Sequence, residues 1–293
     1  MEFHWISLVI LSAAIHPYRE LSLKKAHNPL ACYLGVSVIW LIVATFQNVI
    51  MSHELQIPIA SFPLVIISAA GLILYYYGTL AAMKLGHLSI YYPIVRSSPI
   101  AIVIFSWLFL GVKYTALTVI GIIIIFSGAM MLQKSRLSFF GNNKALCLAI
   151  MAMIGSAGYS ISDAIAVQKI APSVLLFYCY ILVSLILFFI FVLNNKSKKN
   201  ILNCLLHQWK SDQNKILSAG LISYSSYYLI LVAFELGADA AAVSAVRQAS
   251  IPISVLLAAY FLKENETFRR LGWASLIALG IIVLAGNDSS TFS

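Results

Sequence analysis

Charge is scarce in this sequence: Asp, Glu, Lys and Arg make up 10% of the chain, and only 10 residues are acidic. A protein dissolved in water covers itself with far more polar side chains, so a soluble globule is excluded. Cysteine is sparse and scattered. Cys32, Cys147, Cys179 and Cys204 form no CxxC pair and have no His at ligand spacing, which argues against a disulfide framework or a metal site. No basic face interleaved with aromatics is present, so nucleic acid is not an expected partner despite a net charge of +9. Nucleophile motifs and phosphate-binding loops are missing too. Neither enzymatic activity nor a cofactor is expected. The opening "MEFHWISLVI" lacks the basic region of a cleaved leader and reads as a first transmembrane helix.

What the chain does have is apolar length. Hydrophobic residues reach 61% of its 293 positions, and the mean hydropathy is +0.92. Charge-free runs cover 26–53, 55–83, 114–133, 145–162, 170–195 and 216–234. A bilayer core of about 30 Å needs roughly 20 mostly apolar residues per helix, so the chain reads as a polytopic helical membrane protein. Breaks at charge, Pro and Asn place ten spans near 3–20, 29–50, 62–83, 88–110, 115–133, 145–167, 173–195, 215–234, 240–262 and 270–286. The one long connection, 196–214, contains "NILNCLLHQWK". There Leu202, Leu206 and Trp209 share a helical face, so the segment is either a short interfacial helix or a plain linker.

Basic residues divide unevenly among the connections. Those after odd-numbered spans hold fifteen Lys and Arg, whereas the opposite side holds only Lys113 and Lys169. The positive-inside bias puts the odd connections in the cytoplasm and both termini outside a bacterial-type inner membrane. Membrane lipids and a small-molecule solute are the expected partners, for a monomer or a homodimer.

The chain also repeats. Offset by 151 residues, 76–121 falls on 227–272 with eleven of 46 pairs identical, among them Tyr76/Tyr227, Gly86/Gly237 and Arg96/Arg247. Earlier in each half, "SAAIHPYRELSLKK" lies on "SAGYSISDAIAVQK" at a slightly different offset. A duplicated five-helix unit follows, with residues 1–138 as the first copy and 139–293 as the second. Because five is odd, the second copy enters the membrane in the opposite sense. Such inverted repeats place binding sites near the midplane between the copies. The expected fold is therefore all-α, with ten transmembrane helices in two inverted five-helix repeats.

This organisation resembles the EamA family of the drug/metabolite transporter superfamily. The stretch most like the family is "SIPISVLLAAYFLKENETFRRLGWASLIALGIIVL" (250–284), with Pro252 early in span nine and Glu264 closing it. Lys25 and Lys169 sit where the family often ends its first and sixth helices. The first half departs from the pattern: Lys113 replaces the counterpart of Glu264, and Pro99 falls short of the position of Pro252. The resemblance implies a central cavity lined by spans 1, 3, 4, 6, 8 and 9.

Arg96 and Arg247 are the leading candidates for chemistry. Each lies about eight residues into its span, roughly 12 Å deep at ~1.5 Å per residue. An Arg at the centre of a membrane helix costs at least ~2.5–3.5 kcal/mol on insertion scales, so each needs a partner or a wet cavity. Two readings stand side by side. A guanidinium fork can hold a carboxylate or phosphate through two hydrogen bonds, or it can tie helices together through carbonyls. Tyr75, Tyr76, Tyr77, Tyr91, Tyr92, Tyr224, Tyr227 and Tyr228 could pack on an organic solute, although interfacial anchoring and helix packing serve for most of them. Tyr76 and Tyr227 stand out because both copies carry the pair, and Tyr92 joins them as a substrate-binding candidate. His16, beside Pro17, is a proton-coupling candidate or a hydrogen-bonded packing residue. Glu20 and Asp163 lie near span ends and could exchange the proton in place of His16, although groups so close to the boundary are expected to be solvated. Trp107, Gly121, Gly128, Gly272 and Gly280 read as packing positions.

Together these point to a secondary transporter for a small polar organic metabolite, carboxylate- or phosphate-bearing and amino-acid-like, working by alternating access. A flippase for a lipid-linked phosphate would use midplane arginines too. An integral-membrane transferase would be expected to show Asp/His clusters near one interface, and the sequence has none.

Overall fold

A computed structural model describes residues 3–23, 28–85, 94–133, 143–195, 200–251, 253 and 267–285. These are helical throughout their ordered elements. In chain order they are α1 (Phe3–Leu23), α2 (Pro29–Ile50), a 3-10 turn (Ile59–Ser61), α3 (Phe62–Leu85), α4 (Ser98–Leu110), α5 (Ala116–Gln133) and α6 (Asn143–Ala166). Then follow α7 (Pro172–Asn194), α8 (Ile201–Ser211), α9 (Gln213–Glu235), α10 (Ala240–Val246), a second 3-10 turn (Arg247–Ala249) and α11 (Thr267–Ala285). Among the described residues, five windows are long and apolar enough to cross a membrane: Leu30–Ile50, Ile59–Thr79, Asn143–Ala166, Pro172–Asn194 and Gln213–Glu235. Shorter apolar helices cover Trp5–His16, Ser98–Leu110 and Ala116–Met131.

Local chemistry sets the helix ends. The Asn28 side chain accepts the Ala31 N–H at 3.2 Å, with Pro29 in the first turn of α2. Asn200 does the same for α8, accepting from the Asn203 N–H at 3.0 Å. Asp239 caps α10 by accepting from the Ala241 and Ala242 N–H groups at 2.9 and 3.0 Å. Gly111, with φ 67°, closes α4 in the left-handed conformation that glycine adopts without penalty.

The expected fourth span, 88–110, is not one uninterrupted helix. It breaks at Arg96 and Ser97, and α4 begins only at Ser98. Pro99 is the physical cause, because it has no N–H to offer the Val95 carbonyl. The ninth span is interrupted at the repeat-related place: α10 ends at Val246 and tightens into a 3-10 turn that starts at Arg247. In that sequence Pro252 likewise has no N–H for the Gln248 carbonyl.

Packing follows one scheme in both halves. α3 lies against α6 as α1 lies against α9; α2 pairs with α7 and α5 with α11. Lipid is as apolar as Leu, so helix association in a bilayer relies on small residues and interhelical hydrogen bonds. The buried side of α6 is accordingly Ala145, Ala149, Ala152, Gly155 and Ala157. Gly155 and Gly71 mark a tight crossing, where a Cβ added to either would come within 2.6–2.7 Å of the other's carbonyl. Between α1 and α9, Ser12 and Ser226 exchange hydroxyl–carbonyl hydrogen bonds at 2.7 and 3.0 Å. Outward positions are lipid-like, including Phe46, Phe109, Phe189 and Ile282.

Two packing expectations need correction. Trp107 is 62% exposed, so it faces outward with the belt of large apolar side chains. A Cβ at Gly272 would meet nothing within 4 Å, so no neighbour requires a glycine there. Gly128 and Gly280 do sit at the α5–α11 crossing, the first against Trp273 and Ile277, the second against Gly121 and Ile125. The 196–214 connection contains the helix α8. Leu202 and Leu206 point outward, whereas Trp209 turns inward and donates its indole N–H to the Ala31 carbonyl at 2.8 Å.

Candidate functional site

The helix crossings leave two small chambers inside the bundle, each about 20 Å³, space for roughly one water. The first is bounded by His16 on α1, Trp40 on α2, Tyr75 and Tyr76 on α3, Tyr159 on α6, Tyr180 on α7, Ser223, Ser226 and Tyr227 on α9, and Arg247. The second is bounded by Arg96, Ser98, Ser156, Ser244 and Gln248. Tyr75, Tyr159 and Arg247 belong to both walls, so the chambers adjoin.

Both arginines thus reach one polar region, each delivered by an interrupted helix. Arg247 lies over the Tyr227 ring, its guanidinium carbon 5.8 Å from the centroid, a cation–π arrangement. Tyr159 is a polar neighbour of Arg247, and the Arg96 charge acts on it from across the second chamber. The break at Arg96 is itself secured from the opposite half: the Gln248 side-chain amide donates to the Arg96 carbonyl at 3.1 Å. Ser98 and Ser244 place their hydroxyls 3.3 Å apart beside it. A helix interruption at membrane depth is tolerated where neighbouring side chains re-satisfy the freed backbone groups, and Gln248 does this here.

Around the first chamber runs an aromatic cluster. Trp40 stacks on Tyr180 at 4.2 Å and meets Tyr227 at 5.7 Å. The Tyr76 hydroxyl lies 3.3 Å from that of Tyr180, and its ring packs on Tyr33 at 5.1 Å. Tyr159 stands edge-on to both Tyr75 and Tyr227, at 5.9 Å in each case. Trp40 is fixed by its indole N–H, which donates to Ser223 Oγ at 2.8 Å.

Of the residues singled out from sequence, Arg96, Arg247, Tyr76, Tyr227 and His16 all line this region. Tyr91 and Tyr92 fall outside the described residues, as does the side chain of Glu20. Tyr77 is 53% exposed and points away from the chambers. Tyr224 and Tyr228 stack on one another, and Tyr224 donates to Gln47 Oε1 at 2.6 Å, a packing role. Asp163 is a correction. It is 1% exposed, not solvated, and accepts a hydrogen bond from the Tyr227 hydroxyl. Proximity to a span end misled because the adjoining α6–α7 turn folds inward: Ile170, Pro172 and Ser173 are buried as well.

Sequence reasoning missed Trp40, Tyr159, Tyr180 and Gln248. In a chain where 12% of residues are aromatic, nothing local distinguishes a cavity aromatic from a lipid-facing one. Gln248 had a usable signal, being a lone amide inside an apolar run next to Arg247. Among the described residues no group of three His, Cys, Asp or Glu is placed to hold a metal ion.

Comparison with known proteins agrees with the all-helical fold. None of the curated proteins matches the sequence. One solved protein, described only as "Crystal structure of protein", shares the fold with a TM-score of 0.76 at 17% identity, over 95% of this chain and 94% of that one. The EamA-like transporter family matches twice, over residues 5–133 and 143–286. Two copies of its helical repeat therefore make up this multi-pass membrane protein, and the chain belongs to the EamA-like transporter family.

Proposed function

We propose that the protein is a secondary transporter that moves a small polar organic metabolite bearing a carboxylate or phosphate, amino-acid-like in size, by alternating access. The observation that carries this reading is the convergence of Arg96 and Arg247 on adjoining chambers from two interrupted helices. A planar guanidinium matches a carboxylate or phosphate through paired hydrogen bonds. Tyr76 and Tyr227 supply flat apolar faces with hydroxyl edges for the rest of the solute. Tyr92 is included on sequence grounds, and His16 on the chamber wall is a proton-carrying group.

The chambers are too small for such a solute, so the reading requires the two halves to separate on one side at a time. Ten spans in two inverted copies, residues 1–138 and 139–293, provide for that motion: inversion makes the outward-open arrangement the counterpart of the inward-open one. The basic connections put both termini outside the cytoplasm of a bacterial-type inner membrane.

A thermal-shift screen of the purified protein tests the substrate class, with glutamate, benzoate and inorganic phosphate against matched amines and neutral amides. Stabilisation by the anions is expected. Stabilisation by amines alone would overturn the reading.

A further inference from the structure

Asp163 is a buried carboxyl for which the transport scheme above has no use. It is 1% exposed, and among the described residues no Lys, Arg or His forms an ion pair with it. Oδ2 accepts the Tyr227 O–H, while Oδ1 has no hydrogen-bond partner. Ser68 on α3 stands beside the carboxyl but out of hydrogen-bond geometry, and its own Oγ is unpaired. Cys179 approaches from α7. The facing segments of α4 and α10 contain no titratable side chain. Tyr159 shares α6 with Asp163, Tyr75 and Tyr76 lie further along α3, and Arg247 and Arg96 are beyond Tyr227. An ionised carboxylate held from water without a counter-ion is costly, by several kcal/mol. A proton removes that charge and leaves Oδ1 a neutral carbonyl oxygen, for which a missing partner costs far less.

Tyr227 faces both ways. Its hydroxyl is on Asp163, it lines the first chamber, and Arg247 rests on its ring. We propose that Asp163 is a proton-binding site of the transport cycle, loaded through Tyr227 and coupled to the anion held at Arg247; this rests on the anion-carrier reading above. In the loading step a hydronium in the chamber gives a proton to the Tyr227 oxygen as Tyr227 passes its own hydroxyl proton to Asp163 Oδ2. Hydronium becomes water, the phenol is regenerated and the carboxylate becomes a carboxylic acid. An ionised Asp163 repels an anion held at Arg247 on the other side of Tyr227. Protonation removes that repulsion, so anion affinity rises as pH falls, and by reciprocity a bound anion draws a proton onto Asp163.

Infrared difference spectra of the full-length protein in lipid bilayers, titrated from alkaline to acid pH without solute, test the site itself. A carboxylic-acid carbonyl band is expected to grow as pH falls, to be missing from Asp163→Asn and to be shifted in Tyr227→Phe. Identical acid bands in wild type and Asp163→Asn, or a band unchanged at every pH, would overturn the site. If Asp163→Asn does not fold, an unmoved band in Tyr227→Phe overturns it. A second arm adds benzoate in weak buffer with a pH dye. Proton uptake on binding is expected in the wild type and lost in Asp163→Asn, and binding without uptake overturns the coupling. Benzoate, glutamate and phosphate all failing to bind would contradict the anion-carrier reading, while the carboxyl band still decides Asp163.

Discussion

The Gln248 side chain donates to the main-chain carbonyl of Arg96 at 3.1 Å, so the interruption in one repeat is stitched by the interruption in the other. The same amide also approaches the Ser244 carbonyl at 3.4 Å. Replacing it with Leu keeps the volume and takes this donor away from the half-buried Arg96 carbonyl. A lost partner of this kind costs about 1–3 kcal/mol. Gln248→Leu is therefore expected to melt several degrees below the wild type in detergent, with Gln248→Glu no better because it offers an acceptor to a carbonyl. An unchanged melting temperature for Gln248→Leu would mean that the break is held elsewhere.

The crossing of α3 and α6 makes a second prediction. A Cβ at position 155 would stand 2.6 Å from the Gly71 carbonyl and 2.8 Å from the Leu74 Cβ, mostly unyielding atoms. Overpacking such a contact costs typically 1–3 kcal/mol. Gly155→Val is expected to reduce folded yield, whereas Gly158→Val, where a Cβ would meet nothing within 4 Å, is expected to be tolerated. Equal yields would contradict the close approach.

Membrane sidedness is the third. Fifteen of the loop Lys and Arg residues fall on one side of the expected topology, which predicts that residue 293 faces away from the cytoplasm. Reporter fusions after Ser293 check this. An export-dependent reporter should be active there, and a cytoplasm-dependent one active in its place would reverse the orientation.

Much of this was legible before the structure because membrane proteins write their main constraint into composition. A span must be long and apolar, so α2, α6, α7 and α9 appear in the sequence as charge-free runs near their observed bounds. The site candidates were legible for the converse reason: Arg96 and Arg247 are expensive where they stand and so needed explaining. What the sequence did not disclose depends on contacts between distant segments. The interruption at Arg96 arises from Pro99 three residues downstream combined with a partner, Gln248, from the other half. Asp163 read as solvated because neither the inward fold of the α6–α7 turn nor the contact with Tyr227, which is 64 residues away, is visible locally.

Anion recognition by the paired arginines is the central claim, and affinity measured alongside folding tests it most directly. Isothermal titration of benzoate or inorganic phosphate should be run on the wild type, Arg247→Ala, Arg96→Ala and Arg247→Lys, with melting temperatures for each. A hydrogen bond to a charged group contributes ~1.5–3 kcal/mol, and ~1.4 kcal/mol is a decade in affinity. Each alanine variant is expected to bind roughly ten- to a hundred-fold more weakly while still folding, and Arg247→Lys to recover only part of the loss, because an ammonium lacks the planar fork. Well-folded alanine variants with unchanged affinity would contradict the claim and leave both arginines as ties between helices.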